Sequence, residues 1–555
     1  TLATELGDNW DATLVYAQQT IDADGVFFAD PNLGDLEIQR YTQDKIKDEF
    51  DNMSLTLEGT IGDLEVVYAG AYTDRDTNQM VDYTDYLFVG QYLPYYICDY
   101  YVTYTTYAPG NVPTGTCGAP NLLVDSYTNT EVTSHEIRIN ADINDRTSLT
   151  AGFFMSDTEL TELNQFTYPG SVGNDITYAC NHALTDISVS GVINNASPGW
   201  FSAGPFCEPV IFFNDIKRTD DQKGVFGSLN FALSDTSELT LGLRWYDIQV
   251  DFEGSANSSF YNGFGSPDTQ QFGSNLSAQY APGNANGYPD KAKTDGVIGK
   301  VTYSWSPKED SMYYVTWSEG FRPGLLNRPV GRTSPDGSYT VPPSIDSDEI
   351  TNYEFGWKTI LKDGQLRFNG SVFMVDVEGL QTTVFDPSIV NLFFSDNAAD
   401  GEIRGVEGDV TYSNREGLTV AGAFSLLDTE LTKKLVPTND VIVGSDMAFA
   451  PEMQFNLRFR QEWEMSNGKL GHAQLQVTHS DDSYSDIMEM NKALNDSYTY
   501  MDVRLGMSND VMTAELYIDN VTDERAVISN TFVFDRQRVS YNRPTTVGIR
   551  YKMNF

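Results

Sequence analysis

The last ten residues of the chain alternate between apolar and polar positions. The apolar members are Val547, Ile549, Tyr551, Met553 and Phe555, and the residues between them are polar or glycine. Successive side chains of a strand point to opposite faces, so this segment predicts a strand with one apolar and one polar face. Such a C-terminal strand is typical of a membrane β-barrel, whose wall separates lipid from a watery lumen. The alternative is an edge strand of a soluble sandwich.

The same alternation recurs along the chain. Residues 366–374, 453–460 and 472–478 each set apolar against polar residues, and Trp463 continues one apolar face. Strict alternation over this length predicts half-buried strands. The polar faces of the last strands would line a lumen, and the residues expected to point inward are Arg458, Arg460, Gln474, Gln476, Arg550 and Lys552.

Connections between the predicted strands alternate between short and long. The short ones have turn chemistry, as in Ile61-Gly-Asp63, Lys362-Asp-Gly364 and Ser413-Asn-Arg-Glu-Gly417. This order predicts about 18 antiparallel strands in one transmembrane β-barrel domain over residues 1–555, with short periplasmic turns and long extracellular loops. A β-propeller is the nearest rival architecture, but no blade period is present. The predicted long loops are residues 21–49, 77–127, 159–222, 254–292, 322–345, 381–398, 432–448, 482–496 and 521–539.

Composition is consistent with an all-β chain that crosses a membrane with strands. The chain has 555 residues, of which 32 are Tyr and 31 are Phe, and its mean hydropathy is −0.35. No run approaches the 18 consecutive apolar residues that a membrane-spanning helix needs. Alternating strands keep the average hydropathy low, so a barrel wall remains possible.

The net charge of −44 repels nucleic acid, which excludes that class of partner. The acidity fits a solvated surface in salty surroundings, and a specific cation-binding role is the sharper alternative. The four histidines, His135, His182, His472 and His479, show no ligand spacing. His472 and His479 fall on opposite faces of one predicted strand, so we expect no metal site and no bound cofactor.

The four cysteines all lie in long polar segments outside the strand pattern. An even number confined to loops predicts disulfides in an oxidising compartment. Four cysteines allow three connectivities, and pairing within each loop favours Cys98–Cys117 and Cys180–Cys207.

Several segments after about residue 290 carry motifs in a fixed order. They are Tyr313-Tyr-Val-Thr-Trp-Ser-Glu-Gly-Phe-Arg-Pro-Gly324, Asn352-Tyr-Glu-Phe-Gly-Trp-Lys358, Leu366-Arg-Phe-Asn-Gly-Ser-Val-Phe373, Val377-Glu-Gly-Leu-Gln381, Gly405-Val-Glu-Gly408, Tyr517-Ile-Asp-Asn-Val-Thr-Asp-Glu524 and Arg543-Pro-Thr-Thr-Val-Gly-Ile-Arg-Tyr551. Each is weak alone, but their order and spacing together are specific, and together they resemble the barrel of TonB-dependent outer-membrane receptors. Earlier residues match more loosely, chiefly in 64–75.

The resemblance implies a larger protein than this chain. Receptors of this family have a 22-stranded barrel, an N-terminal plug domain and a short TonB box, and neither plug nor box precedes Thr1. We therefore expect about four first strands and the plug to belong to a longer polypeptide.

The resemblance also implies a function. We expect an outer-membrane receptor of the bacterial cell that takes up a scarce nutrient, with TonB and its ExbB/ExbD motor as partners and outer-membrane lipid around it. The expected cargo is a ferric siderophore or another metal chelate, while vitamin B12 and oligosaccharides stay open. The alternatives are a passive substrate-specific porin and, in a third class, an adhesin or secreted β enzyme. No nucleophile–base pair or carboxylate dyad stands out, so an enzyme is not expected.

Candidate substrate contacts lie in predicted extracellular segments. The aromatic-rich segment 86–107 contains Tyr95, Tyr96, Tyr100 and Tyr101, which could stack against a sugar or an aromatic chelate or pack among themselves. Arg322 and Arg328 could supply positive charge to an anionic cargo.

Residues of the family motifs are expected to be structural. Glu354 and Glu407 should face the lumen or its rim and form hydrogen bonds there. Gly320 and Gly324 should permit close packing or a bend at a strand end.

Overall fold

The computed structural model is almost entirely β-strand. No helix of the described residues is both long and apolar enough to cross a membrane, a criterion that does not address crossing by strands. The described parts of the chain are residues 1–25, 28–84, 122–167, 210–258, 291–327, 333–334, 336–384, 394–466, 468–533 and 536–553.

Within these described parts, nineteen strands form one antiparallel sheet. Two short hairpins stand apart from it in long loops: β17 (Ser483–Tyr484) with β18 (Leu494–Asn495), and β21 (Val527–Val533) with β22 (Arg536–Tyr541). The strands of the sheet are β1 (Leu2–Glu5), β2 (Trp10–Asp24), β3 (Lys45–Ile61), β4 (Leu64–Asp82), β5 (Leu123–Asn144), β6 (Thr147–Thr167), β7 (Val210–Ser234), β8 (Ser237–Ser258), β9 (Lys291–Lys308), β10 (Ser311–Arg322), β11 (Asp348–Leu361), β12 (Leu366–Val384), β13 (Phe394–Ser413), β14 (Leu418–Lys434), β15 (Met453–Glu464), β16 (Leu470–Ser480), β19 (Tyr498–Ser508), β20 (Met512–Asp519) and β23 (Thr546–Met553).

Each strand of the sheet pairs with the next one along the chain, with β16 followed by β19 and β20 followed by β23. The connections alternate without exception between a short turn and a long loop, as the sequence predicted. The sheet has one strand more than the predicted 18, because Leu2–Glu5 pairs with Asp11–Leu14. Within the described residues no ladder joins β1 to β23.

The strand register fixes the two faces of the wall. Val547 lies opposite Ile518 and Ile549 opposite Leu516, whereas Arg550 lies opposite Glu515. Val547 and Ile549 are 65% and 79% exposed, which is unusual for such side chains in a water-soluble fold. The same alternation follows the ladders across the sheet, so the outward face is a continuous apolar band and the inward face is polar.

A row of carboxylates borders this band on the side of the long loops. On eight strands the first outward side chain beyond the apolar band is acidic, as on β4, where Tyr68 and Tyr72 are followed by Asp74. These eight residues, the carboxylate border, are Asp51, Asp74, Asp157, Asp247, Asp295, Glu319, Asp376 and Asp428.

Candidate functional site

The inward face of the wall is the surface that a transported molecule would meet. Arg458 lies opposite Gln476 and Arg460 opposite Gln474, and both pairs are on the face opposite Phe459 and its partner. Arg550 and Lys552 continue this face on the last strand. The prediction that all six polar residues point inward is confirmed by the register.

A charge cluster occupies the inward face towards the short-turn end. The buried His472 places Nε2 3.0 Å from Oε2 of Glu515. Arg504 and Arg550 approach the other carboxylate oxygen of Glu515 at 3.5 and 3.4 Å. His479 is on the outward face, so the predicted separation of the two histidines is confirmed. The Glu515 carboxylate compensates the positive charges of Arg504 and Arg550, so the role of this cluster is structural.

The rim at the long-loop end is held by an arginine–aspartate clamp. Arg322, at the end of β10, donates from Nε to Oδ2 of Asp348 at 2.7 Å and from Nη2 to the same carboxylate. Asp348 is 3% exposed and also accepts the backbone N–H groups of Arg322 and Gln381 at 3.1 and 3.3 Å. The Gln381 side chain donates to the carbonyl of Pro323 at 2.9 Å. The clamp thus ties the end of β10 to the next two strands.

The two glycines beside the clamp permit close packing, as predicted. A Cβ on Gly324 would lie 2.2 Å from the carbonyl oxygen of Ile345, a distance that no real contact reaches. A Cβ on Gly320 would meet the Ile350 side chain at 3.0 Å.

The two motif glutamates face inward, where they were expected. The Tyr314 hydroxyl donates to Glu354, and the Ser371 hydroxyl donates to Glu407 at 3.4 Å. Both carboxylates accept hydrogen bonds from the wall itself, so their role here is structural.

Three long loops and the ends of three strands share a buried apolar cluster, the loop core. Its centre is fully buried, as Leu431 and Met488 show, and burial of this kind holds loops in one arrangement. The loop core consists of Val341, Val384, Phe394, Ala398, Ala399, Leu431, Val436, Val441, Ile487 and Met488.

The loop core should respond to pH through Asp486. This carboxylate accepts the Met488 N–H at 3.0 Å, and burial raises its pKa above the ordinary value. A raised folded-state pKa stabilises the fold at low pH, and that contribution is lost as pH rises through the folded pKa. Asp486→Asn keeps an acceptor without a charge. Between about pH 4 and about pH 8, the loop should therefore lose less hydrogen-exchange protection in this variant than in the unaltered protein.

Asp336 provides the control for this measurement. Hydrogen bonds from Ser334 and Ser338 lower its pKa to about 2, so it is ionised throughout that range. Asp336→Asn should leave the pH response unchanged. An identical response in Asp486→Asn and the unaltered protein would contradict the assignment to Asp486.

A cavity among the described residues lies outside the lumen. It has a volume of about 390 Å³ and spans β2 to β6 on the outward face, beyond the apolar band. Its lining includes the register row Asp22, Lys47, Asn78, Tyr127 and Leu163. A molecule passing through the wall's interior would not meet it.

Most of the predicted contact residues lie outside the described residues. Of the six predicted contact residues, only Arg322 lies within the described residues, at the inward rim. The five other contact residues and all four cysteines lie outside the described residues: Tyr95, Tyr96, Tyr100, Tyr101, Arg328, Cys98, Cys117, Cys180 and Cys207.

Sequence reasoning missed the residues that organise the rim. Asp348 and Gln381 form the clamp with Arg322, and the buried Asn327 donates from Nδ2 to the carbonyls of Pro342 and Ser395 at 3.0 and 2.8 Å. From the sequence, a lone Asp at the start of a strand is only a weak indication of an ion pair, because its partner, here Arg322 for Asp348, lies across a long loop.

The family follows from comparison of the whole chain with known proteins. The model of the TonB dependent receptor-like β-barrel family matches residues 2–521. The chain belongs to this family. TonB-dependent receptors are outer-membrane transport proteins of Gram-negative bacteria rather than enzymes, so the predicted location is confirmed.

Individual relatives are distant. The probable TonB-dependent siderophore receptor PiuA of Acinetobacter baumannii is 22% identical over 232 residues, covering 41% of this chain and 26% of that protein. The ferric yersiniabactin uptake receptor FyuA of Yersinia pestis superposes with a TM-score of 0.68 at 14% identity, covering 99% of this chain and 68% of FyuA. The solved PiuA structure gives a TM-score of 0.65 at 15% identity, covering 99% of this chain and 72% of PiuA. These structures confirm the predicted barrel fold.

Proposed function

We propose that this chain is the barrel of an outer-membrane receptor that takes up a scarce nutrient with energy delivered through TonB and its ExbB/ExbD motor. The observation that carries the proposal is a 19-stranded wall with a polar inward face in a chain of the TonB-dependent family. Porins of 16–18 strands enclose open channels, whereas 22-stranded outer-membrane transporters hold a plug. A wall of 19 strands exceeds the porin range and therefore favours the plugged class.

The proposed cargo is a ferric siderophore or another metal chelate. The support is that the similar proteins include one named as a probable siderophore receptor and one named as a ferric yersiniabactin uptake receptor. The barrel's net charge of −44 makes local positive charge necessary for any anionic chelate.

Arg322 is the proposed contact for which the described structure offers support. Its side chain is 57% exposed, and among the described residues Nη1 has no acceptor while Nε and Nη2 bind Asp348. A carboxylate or phenolate of a chelate could accept from Nη1 without disturbing the clamp. Contacts by Tyr95, Tyr96, Tyr100, Tyr101 and Arg328 remain proposals.

Transport in cells without TonB tests the proposed function. The full-length receptor would be offered iron-55 as a catecholate, a hydroxamate and a carboxylate chelate. We expect uptake of at least one chelate in cells with TonB and none when TonB or the proton gradient is removed, because a plugged barrel passes cargo only when energised. Equal flux with and without TonB would instead identify a passive porin.

A further inference from the structure

The cavity on the outward face is built from two adjacent register rows. One row carries Lys47 on β3 and Tyr127 on β5. The next row crosses β3 to β6 and consists of Lys45, Met80, Asp125 and Gln165. Each of these four strands is paired on both sides, so this part of the cavity does not involve the edge of the sheet.

Several polar side chains that line the cavity have no protein partner, whereas their neighbours on the same face are paired. Within the described residues, no side-chain hydrogen bond or ion pair is formed by Lys45, Asn78, Asp125 and Gln165. By contrast, the Tyr127 hydroxyl donates to Asp76 at 2.8 Å, and Nζ of Lys47 lies 2.9 Å from Oε2 of Glu49. Water satisfies exposed groups of this kind, and the hydroxyls of a ligand can take its place.

The chemistry of the lining fits a sugar. Its charged members balance, and they are Lys45, Lys47, Asp22 and Asp125. Balanced charge favours neither a bare phosphate nor a metal cation, whereas sugar hydroxyls both donate and accept hydrogen bonds. The ring of Tyr127 and the apolar side chains of Met80 and Leu163 offer contact to the C–H face of a sugar. A volume of about 390 Å³ lies near the lower end of the range of about 300–1,000 Å³ for ligand sites, which suits a small saccharide.

The height of the cavity above the apolar band indicates where this sugar comes from. Lys47 and Asn78 each lie four residues beyond the end of the band, which is marked by Asp51 and Asp74. Four residues cover about 13 Å along a strand, or about 10 Å of height at a tilt of about 40°. A phospholipid headgroup layer is only about 5–7 Å thick and does not reach this level. A saccharide carried by a lipid of the outer leaflet projects further and does reach it.

We propose that this cavity, the glycan site, binds the saccharide headgroup of a glycolipid in the outer leaflet. The sugar stacks on Tyr127, and its hydroxyls form hydrogen bonds with Lys45, Asn78, Asp125 and Gln165. The glycan site goes beyond the proposed function, because binding on the outward face does not depend on what passes through the lumen.

Binding of a labelled lipid to the full-length receptor in detergent tests the glycan site. The probe is fluorescent lipopolysaccharide that carries its core saccharide. Lys45→Ala combined with Asp125→Ala removes a donor and an acceptor at constant net charge, and should raise the dissociation constant at least about tenfold. The matched control combines Glu159→Ala with Lys217→Ala, which removes an ion pair of 2.6 Å on the same face outside the cavity. The control should stay within about twofold of the unaltered receptor, and an equally small effect of the first variant would overturn the glycan site.

Two further probes separate the sugar from the rest of the lipid. Lipopolysaccharide stripped of its core saccharide should bind at least about tenfold more weakly, because its remaining headgroup lies below the cavity. The free core saccharide should also bind more weakly than the whole lipid, because it makes no contact with the apolar band. Undiminished binding of the stripped lipid would overturn the assignment to a saccharide. Equal binding of the free saccharide would overturn the assignment to a membrane lipid.

Chemical labelling of the unaltered receptor needs no variant. In phosphatidylethanolamine vesicles, a lysine-acetylating reagent should modify the exposed Lys45 at least about fivefold faster than in vesicles that also contain the lipopolysaccharide. Lys293 is 54% exposed on the same outward face but outside the cavity, so its labelling should change by less than about twofold. Equal labelling of Lys45 in both vesicles would overturn the glycan site even if the double variant failed to fold. Iron-55 uptake tests only the proposed function, so failure of one proposal leaves the other measurable.

Discussion

Ile549→Arg should destabilise the folded barrel by about 2–4 kcal/mol, whereas Lys552→Gln should have little effect. Ile549 points outward between Val547 and Tyr551 and is 79% exposed, which places an arginine there in lipid. Lys552 lies on the opposite face of the same strand, towards the watery lumen. The two positions lie on the same strand but on opposite faces of it, so the difference between them isolates the lipid face.

Unfolding of the full-length receptor in lipid vesicles, followed against denaturant, measures this difference. The Lys552→Gln variant is the matched control, since it changes charge on the same strand. Equal losses at the two positions would contradict the assignment of the outward face to lipid.

Gly417→Ala should destabilise the barrel by roughly 2–5 kcal/mol, the sum of backbone strain and overpacking. Gly417 has φ +98° in the turn between β13 and β14. A Cβ there would lie 2.1 Å from the carbonyl oxygen of Glu462, a backbone atom that cannot step aside. Its own carbonyl accepts the Glu462 N–H at 2.8 Å, so the turn cannot move away without losing that bond.

Gly62→Ala provides the comparison. Gly62 has φ +63° in another short turn, and a Cβ there would meet nothing within 4 Å. Its replacement should cost only the left-handed backbone strain, about 1–2 kcal/mol. Denaturation of both variants under the same conditions checks the order, and a Gly62→Ala loss as large as that of Gly417→Ala would show that the contact with Glu462 is unimportant.

Alternation and turn chemistry were sufficient to predict most of the wall. The turns at 62–63, 362–365 and 414–417 lie where Gly, Asn and Asp cluster, because those residues accept the φ values that tight turns need. The strands run further into the predicted loops than expected. On β4 the ladder continues from Asp74 to Asp82, since backbone hydrogen bonds hold the strands together after the apolar alternation has ended.

Other parts could not be predicted from one sequence. Leu2–Glu5 is too short to show a period, and the hairpin of β21 and β22 depends on contacts with a loop about 500 residues earlier. Arg322 was identified as a candidate, but its partner Asp348 follows a long loop, and register across such a loop is not encoded in local pattern. The pairing of Ala29 with Val539 had no sequence signal for the same reason.

We expect the carboxylate border to set the depth at which the barrel sits in its bilayer. Shifting the wall inward by one pair of residues, about 6–7 Å along a strand, would carry the eight acidic side chains into hydrocarbon together. We therefore expect the outer leaflet to end between residues such as Tyr72 and Asp74. In a bilayer of different thickness, either the bilayer has to deform or the barrel has to tilt to match this line. The described part of the wall has no second row of residues at which the apolar band could end.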